Sequence, residues 1–276
     1  MPGVAFVLGG GGQLGAHEVG MLHALLERGV APDVVVGTSV GAINGAAVAA
    51  DPSPAAAARL GQLWSALDAG DVFGGSPLGR LATLARSRTH LHGNGALREL
   101  LARLLPGRIE DLAVPFHCVA ASIERAAERW FDAGPLVDAV LASAAVPGLL
   151  PPVELGGEHF VDGGIVNSIP VGRAVELGAR RVFVLHVGRI ERPLEPPRWP
   201  WEVGLVAFEI ARRHRFVRDL AALPDGVEAH VLPTGQEEPP GYGSQLRYRD
   251  TSAIGERIER AHAASAAYLD EHGIGT

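Results

Sequence analysis

Gly37-Thr38-Ser39-Val40-Gly41 is a Gly-x-Ser-x-Gly sequence. The pattern suits a strand-to-helix turn so sharp that the residues flanking the serine must be small, with the hydroxyl exposed at its apex. At the N-terminus of the following helix, free N–H groups and the dipole favour developing negative charge. The spacing alone also fits a structural turn, so context decides. An apolar strand-like run precedes Ser39 and a helical run follows it. Ser39 is therefore predicted to be a nucleophile, with Gly37 and Gly41 forming its elbow.

The glycine run Gly9 to Gly12 admits more than one reading. Gly10, Gly12 and Gly15 fit G-x-G-x-x-G after a first strand, a dinucleotide fingerprint. That fingerprint also needs an acidic residue at the carboxyl end of the second strand. Asp33 lies at the wrong end, and Gly37-Thr38-Ser39 occupies the right one. The alternative is an oxyanion hole, with the Gly10, Gly11 and Gly12 loop beside Ser39 and the Val40 N–H as a further donor. A tight turn without catalytic use remains a third reading.

The base that would activate Ser39 is less plainly written. An α/β-hydrolase places a histidine late in the chain, where His186 and His230 fall in strand-like runs that read more simply as packed or rim positions. Asp162 is the better candidate. It ends a short apolar run and precedes Gly163-Gly164, an exit that aims a carboxylate into a cleft, although Asp-Gly-Gly is also a common turn.

These residues need a scaffold. Val4 to Leu8, Val34 to Val36, Phe116 to Ile123 and Arg181 to Val187 are short apolar runs of the kind that form strands buried on both faces. Helical spacing follows the first two, giving a βαβα start. Further strands are predicted at Arg129 to Asp132, at His159 to Val161 after a Gly156-Gly157 hairpin turn, and at Val227 to Leu232. Helices are predicted at Ala96 to Leu105, Leu136 to Ala145, Val171 to Leu177, Val203 to Leu223 and around Ile254 to Tyr268. The expectation is a three-layer α/β/α sandwich with a largely parallel sheet. It is read as a single domain over residues 1–276, with a helical insertion at about 51–112.

Composition sets outer limits. The chain has 276 residues, and all 24 of its basic residues are arginine, which excludes a Schiff-base lysine and a Walker-type phosphate loop. A net charge of −7 argues against nucleic acid as a partner. One cysteine, Cys118, cannot form an internal disulfide. The N-terminal apolar run lacks a basic flank, and no stretch reaches the roughly 18 apolar residues of a membrane span. A cytoplasmic location is expected.

Taken together, Gly9-Gly10-Gly11-Gly12-Gln13-Leu14-Gly15, the Ser39 elbow, Ala142 to Pro147 and Val161-Asp162-Gly163-Gly164 resemble the patatin-like phospholipase family in identity, order and spacing. The resemblance runs from Val4 to at least Val187. It implies a Ser39–Asp162 dyad, an oxyanion loop at Gly10 to Gly12, a lipid acyl-ester substrate, and neither metal nor cofactor. Two positions depart from the family. Leu14 stands where an Arg or Lys is usual, and Glu18 where a His is frequent. An aspartate with pKa near about 3.9 is a weak base toward a serine hydroxyl, so modest turnover is expected. The other readings are a Ser-His-Asp esterase and a catalytically silent lipid-binding scaffold.

Three lesser features complete the expectations. Trp199, Trp201, Leu205, Val206, Phe208 and Ile210, followed by Arg212, Arg213, Arg215 and Arg218, form either a peripheral membrane anchor or a packed helix with a solvated end. Trp64, Leu67, Phe73 and Leu78 form either a cap over an acyl groove or ordinary packing. His90 and His92 lack a third ligand nearby, so no metal site is expected there.

Overall fold

A computed structural model of the chain describes residues 3–66, 89–187, 193–235 and 254–275. The chain begins with β1 (Val4–Leu8), a 3-10 turn (Gly12–Gly15) and α1 (Ala16–Glu27). Then come β2 (Val34–Thr38), α2 (Val40–Ala50), α3 (Pro54–Ala66) and α4 (Gly95–Leu104). β3 (Phe116–Ser122), β4 (Ala127–Phe131), α5 (Leu136–Ser143), β5 (Val153–Leu155) and β6 (Glu158–Asp162) follow. The last described elements are α6 (Gly164–Asn167), α7 (Val171–Glu176), β7 (Arg181–Leu185), α8 (Pro200–Ala221), β8 (Glu228–Val231) and α9 (Ile254–Glu271).

The architecture is α/β. One mixed, mostly parallel sheet runs in the order β5-β6-β3-β2-β1-β7-β8, with β4 also paired to β3. The central strands β1, β2, β3, β7 and β8 pair in parallel, while β4, β5 and β6 pair antiparallel. Parallel register sets the two cores. Phe6 lies opposite Val35 and Phe183, and these side chains enter one core together with residues of α1, α2, α5 and α9. Ala5, Val7, Val34, Val36, Val182 and Val184 alternate with them into the other core, against Val171 and Ala174 of α7 and Phe216 of α8. Period-two alternation on continuous apolar strands thus buries both faces.

The pairing around β3 positions the site. A strand has two edges, and each residue pairs once on each. Cys118 and Val119 pair with both β2 and β4, whereas Ala120, Ala121 and Ser122 pair with both β4 and β6. β2 and β6 therefore share one edge of β3, end to end. Thr38 is opposite Val119, and Asp162 is opposite the next residue, Ala120. The carboxyl end of β2 meets the carboxyl end of an antiparallel strand.

Some boundaries differ from those expected. α8 begins at Pro200, before the predicted Val203, because proline suits the first helical turn and the Glu202 carboxylate accepts the N–H groups of Arg198 (2.6 Å) and Trp199 (3.1 Å). Of the stretch 51–112, the described parts are residues 51–66, which include α3, and 89–112, which include α4 and a 3-10 turn at Ile109–Asp111. Leu67, Phe73, Leu78 and the side chain of Trp201 lie outside the described residues.

Candidate active site

Ser39 links β2 directly to α2, and the link is strained. Its φ of 56° and ψ of −123° place a non-glycine residue in left-handed territory, at a cost of roughly 1–3 kcal/mol. Flanking side chains have no room. A Cβ on Gly37 would lie 2.8 Å from Ala42 Cα, and one on Gly41 would collide with the Leu8 carbonyl. The elbow is braced from two directions. Thr38 Oγ1 donates to the Asn167 carbonyl at 2.9 Å, and the Ser39 N–H donates to Ser143 Oγ at 3.0 Å. Ser143 Oγ in turn donates to the Val119 carbonyl at 2.6 Å. The sequence named Ser143 only as part of a small-residue segment. Its signal is the one hydroxyl on this helix, whose only other polar side chain is Asp138.

Ser39 Oγ donates to Asp162 Oδ2 at 2.6 Å. Asp162 Oδ1 accepts the Gly164 N–H at 2.7 Å, which fixes the carboxylate plane. Both side chains belong to buried residues, 6% and 7% exposed. Burial raises the Asp162 pKa from 3.8 to about 6, against the opposing hydrogen bonds from Ser39 and Gly164. The carboxylate is therefore a better base than a solvated one, and still ionised at neutral pH.

The glycine loop runs beside this pair. A Cβ on Gly10 would lie 3.4 Å from Ser39 Cβ, so the loop passes the serine at van der Waals distance. Its N–H groups are not equivalent. Gly10 N–H donates to the Ser168 carbonyl at 2.9 Å. Among the described residues, the N–H groups of Gly11, Gly12 and Val40 have no hydrogen-bond acceptor.

Leu14 is buried, 3% exposed, and brings no charge to the loop. The buried cation of this region is Arg212 on α8, whose Nη2 donates to the Val187 carbonyl and Nη1 to Glu209 Oε1, both at 2.9 Å. The Val187 side chain fills the space where a Gly11 Cβ would stand. Arg212, one of the four arginines expected at either a membrane anchor or the solvated end of a packed helix, faces inward. Glu18 is also fully buried, and burial holds its pKa well above the carboxylate range. Asn44 Nδ2 donates to Glu18 Oε2 (2.8 Å) and to the Gly15 carbonyl (3.0 Å), while Trp64 Nε1 donates to Asn44 Oδ1 (2.9 Å). This polar chain ties the end of the glycine loop to α2 and α3.

The histidines lie elsewhere. His186 is buried against Phe216, and burial lowers its pKa to about 3. His230 stacks on Phe183 and faces the Tyr268 hydroxyl at 3.3 Å. Among the described residues, no imidazole hydrogen-bonds Ser39 or Asp162. His90 meets Thr89 Oγ1 at 2.9 Å, beside a bridge to Gly148.

Comparison with known proteins identifies a family. A family model described as patatin-like phospholipase matches residues 6–175. Patatin-like phospholipase domain-containing protein ZK370.4 of Caenorhabditis elegans is 35% identical over 195 residues, 68% of this chain and 14% of that protein. Lysophospholipase nte1 of Aspergillus terreus is 31% identical over 197 residues, 68% of this chain and 12% of that protein. Patatin-like phospholipase domain-containing protein 6 of Mus musculus is 33% identical over 188 residues, 67% and 13% of the two chains. The chain thus spans only 12–14% of the length of these relatives. The crystal structure of VipD from Legionella pneumophila is a looser likeness, with 16% identity and a TM-score of 0.45 over 98% of this chain and 67% of that one. Ser39, Asp162 and the glycine loop all fall within the matched residues 6–175, and the chain belongs to the patatin-like phospholipase family.

Proposed function

We propose that this chain is a serine hydrolase that cleaves acyl esters of lipids, phospholipid or lysophospholipid, through an acyl-enzyme. The observation that carries the reading is the 2.6 Å hydrogen bond from Ser39 Oγ to a buried carboxylate, made at a strained strand-to-helix turn. Ser39 Oγ attacks the ester carbonyl carbon while its proton passes to Asp162 Oδ2. The N–H groups of Gly11, Gly12 and Val40 receive the oxyanion, while Gly10, committed to Ser168, shapes the loop beside the serine. Collapse breaks the bond to the leaving alcohol, which takes the proton from Asp162 and leaves an acylated Ser39. Water then attacks the acyl carbon and gives its proton to the same carboxylate. Collapse of this second adduct frees the fatty acid and returns the proton to Ser39. The scheme uses neither metal nor cofactor. The names of the relatives, lysophospholipase and patatin-like phospholipase, support the lipid substrate.

The reading includes peripheral contact with a lipid surface through α8. Val203, Ile210 and Val217 fall on its outer face, and Trp199 caps its start, each 54–56% exposed. Glu209 and Asp219, the carboxylates beside that face, are occupied by Arg212, Arg213, Arg215 and Arg218. An apolar outer face without a free carboxylate suits a lipid interface. No helix among the described residues is long and apolar enough to cross a membrane.

Labelling with a fluorophosphonate, read by intact mass and peptide mapping, tests the dyad alongside release of fatty acid from lysophosphatidylcholine. Wild type gains one adduct at Ser39, Ser39→Ala gains none, and Asp162→Asn loses turnover. A His186→Gln variant keeps both activities. Folded wild type that takes no label, or an Asp162→Asn variant that turns over normally, overturns the reading.

A further inference from the structure

Helices α1 and α9 approach each other unusually closely at Gly20, where an added Cβ would lie 2.7 Å from the His262 backbone nitrogen. That closeness lets the His262 side chain reach along α1 to residues one and two turns past Gly20. His262 Nε2 lies 2.6 Å from Glu27 Oε2, and His23 Nε2 lies 3.2 Å from Glu27 Oε1. One ligand atom from each of the three side chains falls within 4.8 Å of the other two. We propose that His23, Glu27 and His262 form a binding site for a single divalent transition-metal ion of the zinc class.

The donor set selects that class. Two imidazoles and one carboxylate suit zinc and its neighbours, whereas calcium and magnesium want oxygen ligands throughout. Tetrahedral zinc with bonds of about 2.0–2.2 Å sets its ligand atoms roughly 3.3 Å apart. The present spacings, 2.6 Å, 3.2 Å and up to 4.8 Å, bracket that value, so side-chain rotation alone closes the site.

The frame is rigid. His23 and Glu27 stand one turn apart on α1, and all three ligands sit on helices rather than loops. Beyond the site, Arg28 grips Asp270 of α9 through both nitrogens Nε (3.0 Å) and Nη2 (2.9 Å), which fixes the register of the two helices. The three side chains are 30%, 41% and 32% exposed, which leaves a fourth coordination position open to water. An ion held here fastens the C-terminal helix to the helix that follows the glycine loop.

Calorimetric titration of the EDTA-treated full chain with zinc chloride tests this, with magnesium chloride in parallel. Zinc binds one per chain with micromolar affinity and, at hundredfold excess over its dissociation constant, raises Tm by roughly 5 °C or more. Magnesium does neither. His23→Gln and His262→Gln each weaken zinc at least tenfold without altering the zinc-free Tm. If either variant fails to fold, X-ray absorption of the zinc-loaded wild type reads the ligands directly, and two imidazoles are expected. Absence of stoichiometric zinc, unchanged affinity in both variants, or a spectrum without two imidazoles overturns the proposal.

Discussion

Replacing Asp162 by Asn removes a charge that the fold buries, while keeping the side chain's shape. An amide still accepts the Gly164 N–H and still meets Ser39 Oγ. What changes is the penalty for an ionised carboxyl that is 7% exposed. Its pKa is raised from 3.8 to about 6, so the native state binds this proton more tightly than the unfolded chain does. Stability from this group is therefore fully present below pH 3.8 and is lost as pH rises through about 6. From these two values, the charge destabilises the wild type by less than about 1 kcal/mol at pH 4 and by roughly 1–2 kcal/mol at pH 5. At pH 8 the penalty reaches about 3 kcal/mol. Asp162→Asn escapes this penalty, so its stability relative to wild type should rise by roughly 1–2 kcal/mol between pH 5 and pH 8. Urea denaturation of both proteins across that range measures it. The slope matters more than the offset, because any fixed cost of the amide cancels. Turnover should meanwhile fall by about a thousandfold through loss of the base. A stability difference that stays flat with pH, or that shrinks as pH rises, would falsify the assignment of a buried, charge-bearing Asp162.

Wild-type kcat/KM on a soluble ester should fall about tenfold from pH 8 to pH 5, since only the ionised carboxylate accepts the serine proton; a profile level to pH 5 contradicts a base with pKa about 6. Ser143→Ala takes away both the acceptor of the Ser39 N–H and the donor to the Val119 carbonyl. It should cost roughly 1–3 kcal/mol in denaturant unfolding, and steady-state kinetics should show kcat falling with KM little changed. A double variant, Ile210→Asp and Val217→Asp, should weaken sedimentation with anionic vesicles at least about tenfold. Its hydrolysis of a soluble ester should match wild type, and equal loss in both assays would place the damage in the fold instead.

The residues of the site were legible because their demands are local. A serine between two glycines, after a strand and before a helix, states its own geometry, and Gly37 and Gly41 leave no room for alternatives. The run of buried apolar strands likewise announced a sheet with helices on both faces. Other features depend on what the chain brings together from afar. Ser143 acquires its role only when α5 lies under the elbow. α8 is apolar on opposite sides, with Val206 and Phe216 inward and Val203 and Ile210 outward, so periodicity could not say which way Arg212 points. His23 and His262 come from opposite ends of the chain, and the close approach at Gly20 joins them.

The shared edge of β3 makes length itself a constraint. β2 and β6 stop against each other there, with Thr38 and Asp162 opposite consecutive residues. Neither strand can gain a paired residue at that end without driving the serine and carboxylate apart. A slip of β6 by a single residue would turn Asp162 to the other side of the sheet, because strand side chains alternate. Insertions and deletions should therefore be excluded from these two termini and concentrate in the β3–β4 and β5–β6 turns, where the ladder ends in hairpins. The spacing between Ser39 and Asp162 is thus held by sheet register as well as by side-chain packing.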